Sequence, residues 1–261
     1  MFCVQIAGVL VAIENRYAFT ERLCADYIVD ISTDGCAFLV SATPEEIAAE
    51  NNDEGAFSPA YCESLALYRK MCTRLLDYDA FLFHAAVVSY AGRGYAFAAK
   101  SGTGKSTHVA QWMHALGNRV MVVNGDKPIL RWCGGEGAGA AGAAAVAVRN
   151  GEGDAPDSGS AASLADVGVA DAAAGEGAPA SGAFLAYGTP YCGKESWGQN
   201  ASVPLRAVCF IERCEPGEPD CLRRLEDDGE IINRMMNQIL LPKDPVLAVR
   251  QLDLLDKLVT C

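Results

Sequence analysis

Residues 99–107, Ala-Lys-Ser-Gly-Thr-Gly-Lys-Ser-Thr, constrain this chain more than any other stretch. An apolar run, Tyr95–Ala98, leads into them. A segment with helical spacing, Thr107–Leu116, leads out, and Gly117-Asn118 stands where helices commonly end. Strand, glycine-rich turn and helix in that order make one unit of an α/β layer. The N–H groups of such a turn converge and the helix adds its positive end, so together they cradle phosphate oxygens. Gly102 and Gly104 let the backbone turn and approach closely. Lys105 reaches β- and γ-phosphates, and the Ser106 hydroxyl suits Mg²⁺. Ser101, Gly102, Thr103, Gly104, Lys105, Ser106 and Thr107 are therefore the expected contacts of a nucleoside triphosphate. The full pattern has glycine six residues before the lysine. Here that residue is Ala99, the position with the least chemistry to do.

The flanking segments supply more candidates. Phe81–Ser89 reads as a buried strand that carries His84, either a satisfied core histidine or a group placed near a transferred phosphate. Arg119–Asn124 reads as the next strand, followed by Gly125-Asp126-Lys127-Pro128. Pro128 argues against a regular central strand beyond Asp126. A carboxylate ending a strand beside the loop suits Mg²⁺, directly or through water, although a turn aspartate would look the same. The stretch Gly188–Gly198 contains Lys194 and Glu195. Brought across the site, it would supply a cation for a transferring phosphoryl group and a carboxylate for a proton. Its plainer reading is a hairpin loop with a surface Lys-Glu pair. Arg206, early in the strand Val203–Glu212, is a further candidate to face phosphate.

His84 on a strand, a turn, the loop Ser101–Ser106, a helix, then a strand running into Gly125-Asp126 resembles the HPr kinase/phosphorylase family, whose nucleotide core is shared with phosphoenolpyruvate carboxykinase. The similarity covers residues 80–130 well and 184–258 loosely. It implies an α/β protein with a mixed (α+β) sheet around that core, a small N-terminal β-rich module, ATP and Mg²⁺ as cofactors, and transfer of the γ-phosphate to a hydroxyl of a peptide, protein or small molecule. Lys105, Asp126, His84, Lys194 and Glu195 are then the candidate catalytic residues, and Ser106 and Asp126 the metal ligands. The resemblance also raises the expectation of a homo-oligomer. In the family two successive aspartates end the second strand, one activating the attacking hydroxyl and one binding metal. Asp126 matches the metal position, and Gly125 stands at the base position. A nucleotide-binding accessory protein without phosphoryl transfer is thus the alternative.

The chain divides into a module over 1–76 and a core over 77–261. In the module, Phe2–Ile13 reads as a strand, followed by Asp26–Ser32 and Ala37–Ser41 with Asp34-Gly35 as a hairpin turn. Thr43-Pro44-Glu45-Glu46 reads as a helix cap, and residues 59–76 as a helix. Leu222–Leu240 and the segment after Asp244-Pro245 have helical spacing, the last with Leu247, Leu252, Leu255 and Leu258 inward. Residues 133–183 differ in kind: 18 of these 51 are Ala and 12 are Gly, with no aromatic. They read as a largely disordered insertion. They also carry half of the net charge of −12, which leaves the rest only mildly acidic. Even so, the balance makes nucleic acid and anionic membrane poor partners. Eleven cysteines without CxxC spacing, and no signal-like start, point to reduced thiols in the cytoplasm. No apolar run is long enough for a membrane span.

Overall fold

The computed structural model describes residues 1–51, 57–134, 144–150, 182–214, 217 and 219–260. The chain opens with a hairpin, β1 (Phe2–Ile6) and β2 (Val9–Glu14), rather than one long strand. Ala7 (φ 51°) and Gly8 (φ 74°) make the two-residue turn whose twist matches paired strands. Next come α1 (Ala18–Leu23), β3 (Phe38–Ser41), α2 (Pro44–Ala49) and α3 (Pro59–Leu75). Here β3 pairs parallel to β2, so Asp34-Gly35 belongs to a short 3-10 turn and not to a hairpin. Residues 28–32 touch β1 only through a bridge at Ile28, so the expected strand over Asp26–Ser32 is absent. The cap at Thr43 is present and is reciprocal with Glu46.

One buried group ties this module together. The Glu63 carboxylate on α3 accepts the N–H of Arg16 at 2.6 Å and of Tyr17 at 3.0 Å, and the Thr20 hydroxyl at 3.4 Å. Tyr17 caps α1 without a side-chain bond, so Glu63 serves α1's first turn from a distance. Glu63→Ala leaves the buried Thr20 hydroxyl without this partner and removes the acceptor of the Arg16 and Tyr17 N–H groups. We expect a loss of about 2–4 kcal/mol, read as a shift in the chemical denaturation midpoint. An unchanged midpoint would show that water replaces the carboxylate without penalty.

The larger sheet contains β4 (Ala80–Leu82), β5 (Ala85–Tyr90), β6 (Arg93–Ala98), β7 (Val120–Asn124), β8 (Ile129–Cys133), β9 (Ala144–Asn150), β10 (Ala183–Tyr187), β11 (Ser202–Arg213) and β12 (Cys221–Arg224). Its main order is β4-β8-β10-β11-β6-β5-β7, and β9 lies between β11 and β12. The sheet is mixed: β11 runs parallel to β6 and β9 but antiparallel to β10. The strands β4 and β5 are separated by two residues, yet β4 lies at one end of the order and β5 next to the other. Only a sheet curled back on itself allows this. The expected strand Phe81–Ser89 is therefore broken at Phe83-His84, where the chain crosses the seam.

Helix α4 (Lys105–Leu116) packs on one face, where Val109 meets Phe97, Val88, Val122 and Cys209. Helices α5 (Asp228–Met236) and α6 (Pro245–Thr260) cover the other, where Ile231, Met235, Leu255 and Leu258 meet Val87, Ala98 and Phe210. Burying a side chain such as Phe97 or Val109 contributes about 1.5–3 kcal/mol. The expected helix Leu222–Leu240 is thus a strand followed by a shorter helix. On α6, Leu254 is buried while Leu252 is 43 % exposed, which reverses the expectation for Leu252. No helix among the described residues is long and apolar enough to cross a membrane.

The α3 helix and the small sheet share a core with Ala80, Ile129 and Tyr191 of the larger sheet and its loops. Within the Ala/Gly-rich insertion, Ala144–Asn150 is strand β9, paired along its whole length with β11. That is a correction for those seven residues. The expectation for 135–143 and 151–181 lies outside the described residues.

Candidate functional site

Several connections cross the seam of the curled sheet at the same end. The β4–β5 step carries His84. The β7–β8 step carries Gly125–Pro128. The β10–β11 connection carries residues 188–201. The glycine-rich loop after β6 opens at this end as well, since Ala98 is registered opposite Ala85. Topology therefore gathers residues that lie far apart in the sequence.

The loop is tightly turned. Gly102 and Gly104 take φ values of 79° and 124°, which explains glycine at both. The Thr103 N–H donates to Lys100 O at 3.2 Å, closing the bend. Lys105 begins α4, two residues before the expected start, so its side chain leaves the helix's positive end. Its Nζ donates to Ala99 O at 3.1 Å, folding back over the loop, and lies 3.1 Å from His84 Nε2. His84 Nε2 also lies 3.1 Å from Asp126 Oδ1, and Lys127 Nζ lies 3.4 Å from Asp126 Oδ2. One imidazole nitrogen serves one partner at a time: protonated, it donates to Asp126, and bare, it accepts from Lys105. Lys105, His84 and Asp126 thus form one cluster at the mouth of the loop. Ser106 is half-buried on α4's first turn, Thr103 is half-buried in the loop, and Ser101 and Thr107 are exposed.

The charges of the cluster interact. Burial pushes the Lys105 ammonium below its ordinary value, Asp126 pulls it back up, and Lys127 pushes it down further. Burial works against the Asp126 carboxylate, but the His84 hydrogen bond and the nearby Lys127 and Lys105 outweigh it and hold that carboxyl below its usual range. Beneath the loop, burial lowers the His108 imidazole to about 4. His108 is then a neutral packing partner whose Nε2 accepts from Trp112 Nε1 at 3.2 Å.

Asn124, which the sequence reading passed over, holds the aspartate in place. It is fully buried, and its Oδ1 accepts the N–H groups of Asp126 (2.9 Å) and Lys127 (2.7 Å). Its Nδ2 donates to Thr189 O at 3.1 Å and Thr189 Oγ1 at 3.0 Å. The Thr189 hydroxyl and the Tyr68 hydroxyl both donate to Lys127 O, at 2.8 Å and 2.7 Å. Tyr68 stacks on Tyr191 with ring centroids 3.9 Å apart. Helix α3 of the N-terminal module therefore supports the floor of the site. An asparagine two residues before an aspartate at a strand end is a legible turn signal. The tyrosine pair has no local signal at all.

The segment Gly188–Gly198 does cross to this cluster. Gln199 N–H donates to Val123 O at 3.1 Å, and Gly198 bridges Asn124. A Cβ on Gly125 would stand 2.6 Å from Cys192 O and 3.1 Å from Trp197 O, both backbone atoms of this segment. A Cβ on Gly193 would stand 3.1 Å from Asp126 Cβ. Glu195 Oε2 and Asp126 Cγ both lie 3.7 Å from that same point, so the two carboxyl groups flank one spot. Lys194 is exposed, and no hydrogen bond or ion pair joins it to Lys105, His84 or Asp126.

Arg206 is not at the site. Because β11 is parallel to β6, with Leu205 opposite Gly94 and Phe210 opposite Ala98, Arg206 lies at the end remote from the loop. Arg213 lies at the loop end instead. Its Nη2 donates to Gly102 O at 2.8 Å and its Nε to Thr103 O at 3.3 Å. The rule that the carboxyl ends of parallel strands carry the site would have selected it. No family model, no curated protein and no solved structure matches this chain.

Proposed function

We propose that this chain is an ATP-dependent phosphotransferase of HPr kinase-like type, with a phosphoenolpyruvate carboxykinase-like nucleotide core. The observation that carries the reading is the Lys105–His84–Asp126 cluster at the mouth of a glycine-rich loop that runs into a helix. The loop and helix offer converging N–H groups to the phosphates. Lys105 offers its charge to the β- and γ-phosphates. Asp126, held ionised, and Ser106 are hard oxygen donors of the kind Mg²⁺ takes. The ion, when bound, neutralises charge on the transferring group.

Transfer requires the acceptor hydroxyl to form an O–P bond as the bond to ADP breaks, and its proton must go to a base. Gly125 has none, and Glu195, which flanks the same spot as Asp126, is the carboxylate we assign as its substitute. Asp126→Asn is expected to weaken Mg-ATP binding about tenfold or more. Glu195→Gln should leave binding intact and lower turnover by about a hundredfold. Titration with a fluorescent ATP analogue and ADP release, with water and with a panel of hydroxyl acceptors, read the two effects separately. Unchanged turnover in Glu195→Gln removes it as the base.

Gly125 also favours a second reading, a nucleotide-binding accessory protein. Tight Mg-ATP binding with no ADP formed from any acceptor class would establish that reading and overturn phosphoryl transfer.

A further inference from the structure

Arg213 ends β11 and is exposed, yet its guanidinium reaches sideways to two carbonyls at the tip of the glycine-rich loop. Nothing in the mechanism above uses it. A glycine-rich loop binds an anion only while its N–H groups point inward, which requires the carbonyls between them to point out. Outward carbonyls are acceptors without regular partners, and Gly102 and Gly104 leave the loop tip free to rotate them back. A forked, permanently charged donor is suited to hold two adjacent carbonyls at once. The backbone of Arg213 is itself fixed on both sides of the strand's end. Phe210, three residues earlier, is registered opposite Ala98, and Arg213 is registered opposite Asn150, the last residue of β9.

We propose that Arg213 is a positioning residue that keeps the loop in its anion-binding shape before any ligand arrives. Strand β9 of the Ala/Gly-rich insertion braces it there. Arg213 acts through the loop backbone and need not touch the nucleotide. Residues 144–150 are thus coupled to the site as a strand, although the composition around them reads as a largely disordered insertion. The effect on affinity rests on the nucleotide reading given above, whereas the effect on loop order does not.

The test compares wild type, Arg213→Ala and Arg213→Lys as full-length chains. Hydrogen–deuterium exchange over residues 99–107 without ligand reads loop order. Thermal unfolding reads global stability, and a fluorescent ATP analogue with Mg²⁺ reads affinity. In Arg213→Ala the loop amides are expected to exchange at least tenfold faster and the dissociation constant to rise about tenfold, with the melting temperature unchanged. Lysine, with one ammonium in place of a fork, should recover part of both. If wild type binds no nucleotide, the nucleotide reading fails and the exchange data alone decide the role of Arg213. Unchanged exchange in Arg213→Ala overturns the proposal, as does faster exchange spread over the whole chain.

Discussion

Lys105→Ala is expected, on the phosphotransferase reading proposed above, to lower phosphoryl transfer by about a thousandfold or more and to weaken Mg-ATP binding between ten- and a hundredfold, because electrostatic stabilisation of the moving phosphoryl group is the largest part of such catalysis. The side chain sits at the start of α4, partly buried, with its ammonium between Ala99 O and His84 Nε2. Its removal takes away the ammonium that folds back over the loop onto Ala99 O. It should not unfold the protein. Burial and Lys127 already disfavour the charged form of Lys105, so the fold loses little with it. The expected melting temperature is within a few degrees of wild type. A second effect follows from the shared imidazole nitrogen. Without Lys105, His84 Nε2 has Asp126 as its remaining partner in the cluster, and the imidazole proton should settle on that bond. Nitrogen-15 chemical shifts of His84 would register it. Unchanged nucleotide affinity in Lys105→Ala would sink the ATP-binding reading.

Gly125→Asp is the second large effect, and its direction runs against intuition. Restoring the second aspartate of the HPr kinase pattern would be expected to restore a base. Here the Cβ alone would meet Cys192 O at 2.6 Å and Trp197 O at 3.1 Å. Both are backbone atoms, so no rotamer change relieves the clash. The segment 188–198 must lift, and with it go the Gln199 bond to Val123 and the packing of Gly193 on Asp126. We expect a loss of roughly 3 kcal/mol, or a fall in melting temperature of about 10 °C, together with lower turnover because Glu195 is carried away from Asp126. Gly125→Ala should do most of the same damage, which separates the steric cause from the added charge. A stable Gly125→Asp with raised turnover would show instead that the glycine is a plain loss of function.

These two substitutions mark where local and distant information part. Lys105 was legible because a strand, a glycine-rich turn and a helix are consecutive, and their chemistry is set by spacing along the chain. The turn at Asp126, the Thr43 cap and the helices α3 and α4 were legible for the same reason. The break at His84 was not. A run of nine residues, seven of them apolar, reads as one strand unless the sheet curls, and curling is a property of how all the strands pair. Leu222–Leu240 misled because alternating and helical spacing coincide over short apolar runs. Arg206 is the arginine that the sequence offers and Arg213 the one at the loop, because strand direction decides which end of β11 meets the loop, and pairing with β6 sets that direction.

By itself, the order of residues determined the glycine-rich loop, the lysine it presents and the aspartate one helix and one strand downstream, since each depends on neighbours within a few bonds. The tertiary structure decided that His84 stands against Asp126, that Glu195 flanks it, that Arg213 grips the loop, and that Gly125 has no room for a side chain. Each of these contacts joins segments separated by tens of residues. They meet because the large sheet curls back on itself, so that its crossing connections arrive at one seam.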